Sequence, residues 1–332
     1  MAHDVKVIIN MAKTYGSLGF GYPLILVENA TTAKAYKEYY DITELTADGY
    51  TNATTAYKAA QLMFMQDHKP EKIAICSTDG TAVEWLGVAK NIEKEWRQLI
   101  VVSDGGTAST FATIANAVDS ASVEKMYFAN VDVPTDLSDA EAVVTGSDRT
   151  VLFYYTATEN IPCPVAALVG EIGGLNPGSY TVNNLTLVGL EPLGLNQSEV
   201  EAIHELGGIT FILAAGDGVC SEGVVSSGEY IDNVDNNDYI KQQLEYHTQK
   251  VFNTNLKVPY TNVGIAMLEA AATNVMQRCV NLGIIESYTV EYALREQVAE
   301  TDIAMRKYFG GSCKYILQGA IHEIQIYAEA SV

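Results

Sequence analysis

The sequence predicts a mixed protein, α/β followed by α+β, on three observations. Between residues 24 and 160, short apolar runs alternate with helical stretches, the pattern of a parallel sheet with helices on its faces. Pro162 and Pro164 interrupt that alternation. Beyond them two long helical stretches lead to a strand-like end, and the chain also opens on an isolated strand. The expected division is an arm over residues 1–23, an α/β domain over 24–160 and a second domain with a closing strand over 161–332.

Val5, Val7 and Ile9 alternate with Asp4, Lys6 and Asn10, which is strand periodicity. Gly16, Gly19 and Gly21 detach that strand from the next segment. Leu24–Val27 reads as a buried strand and Thr32–Tyr40 as a helix with a face of Tyr36, Tyr39 and Tyr40. Helix Thr54–Asp67 is ended by Pro70. Strand Lys72–Cys76, helix Thr81–Lys90, helix Ile92–Gln98 and strand Leu99–Ser103 come next. Gly105 and Gly106 turn the chain into helix Thr110–Val118. Strand Lys125–Ala129, short helix Ala140–Thr145 and strand Thr150–Tyr155 complete the alternation.

Helix Val165–Ile172 comes after the prolines, then a Gly/Pro loop and an extended Thr186–Leu190. Ser198 is suited to cap helix Glu199–Leu206, because its hydroxyl can accept a free N–H at the helix start. Strand Ile209–Ala214 comes after Gly207-Gly208, and Gly216–Gly223 reads as a turn between strands. Asn233–Asn237 reads as a turn, with Asp238 capping helix Asp238–Phe252. Thr261–Leu282 is another helix. Ser287–Tyr292 is compatible with strand or helix, and Thr301 starts a polar segment ending at Lys307. Lys314–Leu317 and Ile321–Ala328 form a hairpin-like pair around Gln318-Gly319, with Ile324, Ile326 and Ala328 on one face. Unpartnered strands at both ends offer free backbone groups to another chain.

With 332 residues, 48% of them hydrophobic, a sizeable core is available. No apolar run reaches the ~18 residues that span a bilayer, so direct membrane insertion is not expected. The N-terminus lacks the features of a secretory signal, and assembly in a cytoplasm is expected. The five cysteines form no C-x-x-C and are odd in number, which favours buried, inert thiols. A net charge of −21 argues against nucleic acid as the main partner. Twenty tyrosines fit an interface or ordinary strand composition equally well.

No chemical motif survives inspection. Asp104-Gly105-Gly106-Thr107 and Ser77-Thr78-Asp79-Gly80 sit at strand-to-helix turns, where a nucleotide loop would be. Both lack the glycine spacing and the Lys-Ser/Thr pair of phosphate loops. Asn233–Asp238 is oxygen-rich but lacks the glycine and glutamate of a calcium loop. The five histidines show no metal-ligand spacing, and Cys220 has no identifiable base. The expectation is no catalytic residue, no metal and no cofactor. The competing reading is an α/β nucleotide-binding protein or enzyme with its site at the strand ends of residues 24–160.

The segment Gly228–Ile265 carries "GEYID", a helix, and "KVPYTNVGI" in that order. The chain closes on "GAIHEIQIYAEASV". Together these resemble the C-terminal domain of contractile phage tail sheath proteins, including those of phage-tail-like bacteriocins. Weaker similarity runs through "YPLILVENA" and "YKAAQLMFMQDHKPEKIAI". The resemblance implies a structural subunit, with residues 24–160 as an outward-facing insertion and the C-terminal domain facing an inner tube. It implies hexameric rings stacked helically in a virion tail or similar particle. Its partners would be further copies of the chain, the tail tube protein, and baseplate and tail terminator proteins. Inter-subunit strand pairing would use Val5, Val7, Ile9, Ile321, Ile324, Ile326 and Ala328. Arg295, Arg306 and Lys307 are the expected tube-facing cations, although a pairing of Arg306 with Asp302 one turn earlier is equally compatible with the sequence.

Overall fold

The computed structural model describes residues 20–103, 109–121, 124–132, 146–322 and 324–327. The expected arm with Val5, Val7 and Ile9, the turn Asp104–Thr107, the helix Ala140–Thr145 and Ala328 lie outside these residues. The described chain forms two compact units. The larger contains residues 20–176 and 184–235, the smaller Pro177–Asn183 and the chain from Asn236 onward.

The larger unit is built on β1 (Tyr22–Glu28), β2 (Lys34–Tyr39), β3 (Ile73–Ser77), β4 (Trp96–Ser103), β5 (Met126–Val131), β6 (Thr150–Tyr154), β7 (Gly208–Ala214) and β8 (Asp217–Cys220). They form one eight-stranded sheet in the order β2-β3-β1-β4-β5-β6-β7-β8. The strands from β3 through β7 run parallel, and β2 and β8 close the edges antiparallel. Every residue of β1, β3 and β6 is buried. Parallel strands covered on both faces carry continuous apolar runs for this reason.

Helices α1 (Ile42–Ala47), α2 (Thr55–Phe64), α3 (Ala82–Leu86), α4 (Ala89–Ile92), α5 (Phe111–Ser120), α6 (Val165–Ile172) and α7 (Gln197–Glu205) complete this unit. Thr54, Thr81 and Thr110 cap α2, α3 and α5 through their hydroxyls. All eight residues of α6 are buried. Gly170 lets it cross α2 closely, since a Cβ there would stand 2.5 Å from Met63 Cα.

The structure corrects several expectations. Residues Lys34–Tyr39 form an edge strand where a helix was expected; alternating burial, with Tyr36 and Tyr39 less exposed than Ala35 and Lys37, suits a pleated edge. The helix expected over Ile92–Gln98 ends at Ile92, and Trp96 already opens β4. Asn196, not Ser198, caps α7, in a reciprocal box with Glu199. Thr186–Leu190 forms turns, pinned where the Gln66 side chain bonds both the N–H (2.9 Å) and the C=O (2.8 Å) of Val188. The boundary expected after residue 160 also moves. β7 pairs with β6, so the sheet continues past the prolines and the larger unit runs on to residue 235.

Helix α8 (Ile231–Thr254) runs from the larger unit into the smaller and starts before the expected Asp238 cap. Asp232, Asp235, Asn236 and Asp238 are buried inside it, so burial and not turn propensity decides their conformation. The boundary between the units falls within this helix. Helix α9 (Asn262–Asn281) buries Ile265, Leu268, Ala272, Val275, Met276 and Cys279. It packs on β9 (Ile285–Tyr292), which pairs antiparallel with β10 (Gly311–Leu317). Lys314–Leu317 therefore pairs with β9 and, among the described residues, not with the segment after Gln318-Gly319. Tyr288 stands opposite Tyr315, and the longer ribbon half-buries Tyr288, Val290, Tyr292, Cys313, Tyr315 and Leu317 on one face.

Candidate assembly surface

The "VPYTNVGI" segment organises the chain beside the ribbon. The Thr261 hydroxyl accepts the Gly264 N–H (3.4 Å) and caps α9. Gly264 is required because a Cβ there would stand 1.9 Å from Pro259 O. The turn then reaches the connector between β9 and β10. The Tyr260 carbonyl accepts the Arg295 Nε–H (3.1 Å), and Asn262 Oδ1 accepts the Arg295 backbone N–H (2.8 Å). Asn262 Nδ2 donates to the Glu296 carboxylate (3.1 Å), and Tyr260 OH donates to Lys307 O (2.8 Å). Glu296 is held below the usual carboxylate range by its own backbone N–H and by Asn262.

A tyrosine cluster braces the same connector. Tyr292 stacks on Tyr308 with ring centres 5.9 Å apart, and Tyr260 meets Tyr308 edge-on at 6.2 Å. Tyr308 OH donates to Ala293 O (2.9 Å). Burial pushes the Tyr292 phenol up to about 12. The connector includes the short helix α10 (Glu300–Ala304).

Arg295, Arg306 and Lys307 thus lie on one connector, and all three are exposed. Arg306 adopts a left-handed backbone (φ 57°) just past α10, and the Lys307 N–H turns back to Asp302 O (2.8 Å). This geometry takes Arg306 off the helical face of Asp302, and no ion pair joins them among the described residues. Sequence reasoning saw the motif but missed Tyr260 and Asn262 as the ties of this connector. The only available signal was a polar residue directly after a helix cap.

Among the described residues β9 and β10 pair only with one another, so no other described strand uses the backbone groups of their outer edges. The chain after β10 is anchored at its root. Gln318 N–H donates to Ile284 O (3.1 Å), and His322 Nε2 lies 2.9 Å from the Thr181 hydroxyl. Beyond β10, Ile321, Ile324 and Ile326 are 89%, 77% and 78% exposed and lie in no strand of their own chain.

The sheet's C-terminal end is where the competing reading places a ligand. β1 lies between β3 and β4, so the crossover direction reverses there, the usual crevice for a phosphate in this class of sheet. The chain places a carboxyl group of its own there. Buried Glu28 accepts the N–H of Ala82 (2.8 Å) at the start of α3, and the N–H (2.8 Å) and hydroxyl (2.6 Å) of Ser109. Burial pushes the Cys163 thiol up to about 12 and raises that of Cys220, which suppresses the reactive thiolate. Among the described residues no group of three or more His, Cys, Asp or Glu could hold a metal ion. No described helix is long and apolar enough to cross a membrane.

No protein-family model matches the chain, and no curated protein does. Solved structures do. The helical sheath of the anti-feeding prophage in its contracted state matches with a TM-score of 0.73 at 12% identity, covering 95% of each chain. The contracted sheath complex of the extracellular contractile injection system PVC gives 0.72 at 12% identity, covering 95% of this chain and 92% of that one. The sheath tail protein of Desulfitobacterium hafniense gives 0.58 at 8% identity, covering 84% and 91%. Across both units, this chain has the fold of contractile-tail sheath proteins.

Proposed function

We propose that this chain is the structural subunit of a contractile sheath. It polymerises as stacked hexameric rings around an inner tube and shortens to drive that tube through a target cell envelope. The observation that carries the reading is the match to contracted sheath subunits over 95% of the chain. The ribbon supports it: among the described residues β9 and β10 pair with no further strand, and the apolar tail beyond them lies in no strand. In this reading the smaller unit is the sheath domain and the larger one the outward-facing α/β domain. Residues 1–15 and 321–328 supply strands to neighbouring ribbons, and Arg295, Arg306 and Lys307 face the tube. Baseplate and terminator proteins close the ends of the polymer, in a virion tail or phage-tail-like particle assembled in a bacterial cytoplasm. No catalysis and no cofactor are involved.

Negative-stain microscopy of the purified protein tests this directly. Rings or tubes are expected, and compact single particles at every concentration would refute it. The nucleotide reading has its own test in thermal shift with ATP, GTP and NAD. Ligand at ~100 times its dissociation constant would add about 2.7 kcal/mol, and no shift is expected because Glu28 occupies the crevice.

A further inference from the structure

Charge is divided unevenly along this chain. Residues 236–332 hold eight Lys and Arg against ten Asp and Glu, a net of −2. Residues 1–235 hold twelve against thirty-one, a net of −19. The break coincides with the boundary between the two compact units. Five cations of the larger unit are also engaged by their own chain. Lys34 lies over Tyr50 (3.9 Å), Lys72 over Tyr22 (4.3 Å), Lys94 over Tyr36 (4.6 Å) and Lys125 over Trp96 (4.7 Å). Arg97 is buried in an ion pair with Asp235. A cation held over a ring or inside an ion pair is poorly placed to meet the carboxylates of another molecule. Two larger units brought side by side would therefore face each other across like charge, which keeps molecules apart in solution. The smaller unit carries almost no net charge, and it holds the ribbon, whose outer edges no other described strand covers.

We propose that copies of this chain join through the smaller unit while the charge of the larger unit opposes the joining, so that ionic strength sets whether the polymer forms. The proposal rests on the sheath reading and adds a control to it. Dissolved salt shortens the reach of the repulsion from roughly 30 Å at about 0.01 M to roughly 3 Å at about 1 M. Contacts that depend little on charge are left almost unchanged.

The test is self-assembly of the full chain, monitored by sedimentation and negative-stain microscopy across that salt range. The threshold concentration for polymer should fall about tenfold or more as salt rises. A variant with the exposed Asp67, Glu71, Asp79, Glu159, Glu205 and Asp217 changed to amides should polymerise at lower salt, with a flatter dependence. The matched changes Glu286→Gln, Glu291→Gln and Glu300→Gln, in the smaller unit, should move the threshold less per charge. Tubes whose threshold rises with salt, or a six-site variant that behaves as the parent, would overturn this proposal and leave the sheath reading standing. Failure of every protein to polymerise at any salt overturns both.

Discussion

The backbone N–H of Arg295 donates to Oδ1 of Asn262 across 2.8 Å, although the two lie 33 positions apart. The Asn262 side-chain NH2 donates to Glu296, so one side chain fixes the start of the connector. Asn262→Ala should cost about 0.5–1.5 kcal/mol, the net worth of a typical intramolecular hydrogen bond. Asn262→Asp should be worse than its size suggests, because it places a second carboxylate against Glu296. Urea denaturation of both variants checks the order. Equal stability of Asp and Ala variants would mean that the Glu296 contact is not made.

Gly264→Ala should be among the most damaging single changes in the smaller unit. The Cβ would stand 1.9 Å from a backbone carbonyl, which cannot rotate away. Overpacking of this kind typically costs 1–3 kcal/mol and occasionally more, so about 3 kcal/mol is expected. Thr261→Ala removes only the cap and should cost about 1 kcal/mol. A harmless alanine at 264 would show that the Pro259 turn yields easily.

Reversal of Arg295, Arg306 and Lys307 to glutamate separates their roles. Arg306 and Lys307 are exposed, and changing them should alter stability by no more than about 0.5 kcal/mol. Arg295→Glu also loses its bond to the Tyr260 carbonyl and should cost more. The triple variant is expected to fold, and to yield sheaths that form without a tube or contract early. Normal extended tails from this variant would remove the cations from the tube contact.

Gln325→Pro tests the closing strand. Its neighbours Ile324 and Ile326 are exposed and outside any strand of their own chain. The proline should therefore leave the melting temperature unchanged while abolishing assembly, because it removes a backbone donor needed for pairing. A clear drop in melting temperature would place this segment inside the fold of its own subunit.

His68 supplies a pH dependence. Its ring pairs with the buried carboxylate of Glu171, which also accepts the His68 N–H at 3.1 Å. The hydrogen bond and the charge of Glu171 raise the imidazole above its usual 6.5. A raised histidine contributes stability that is complete below the unfolded value and is lost as pH rises through the folded one. His68→Asn should thus lower the urea midpoint most in mildly acidic buffer, with the gap closing in alkaline buffer. A gap that widens with pH would reverse the assignment.

The sheet was legible in the sequence because its central strands are buried on both faces and read as unbroken apolar runs, as at Leu24–Val27. Helix starts were legible where a threonine hydroxyl fixes them, as at Thr54, Thr110 and Thr261. Residues 34–39 were misread because isolated tyrosines fit either period, and only the neighbour β3 decides between them. Residues 232–238 were misread because their polarity suggests a turn, whereas their environment buries them in a helix. The connector was legible as a cationic segment. Its ties to Tyr260 and Asn262 depend on contacts more than thirty positions away, which no local pattern encodes.

The placement of Trp96 has an optical consequence. It is 1% exposed at the start of β4, with its indole N–H bonded to Asn91 O at 3.0 Å. Trp85, the other of the two tryptophans, also lies in the larger unit. The smaller unit has no tryptophan, and five of its tyrosines lie in or beside the ribbon, at 260, 288, 292, 308 and 315. Emission excited at the red edge of the indole band therefore reports the larger unit only, while phenol absorbance and near-ultraviolet dichroism also register the ribbon. A polymer that forms through the smaller unit would leave indole emission steady while the tyrosine dichroism changes, so the two signals give an unlabelled readout of which half of the molecule is engaged.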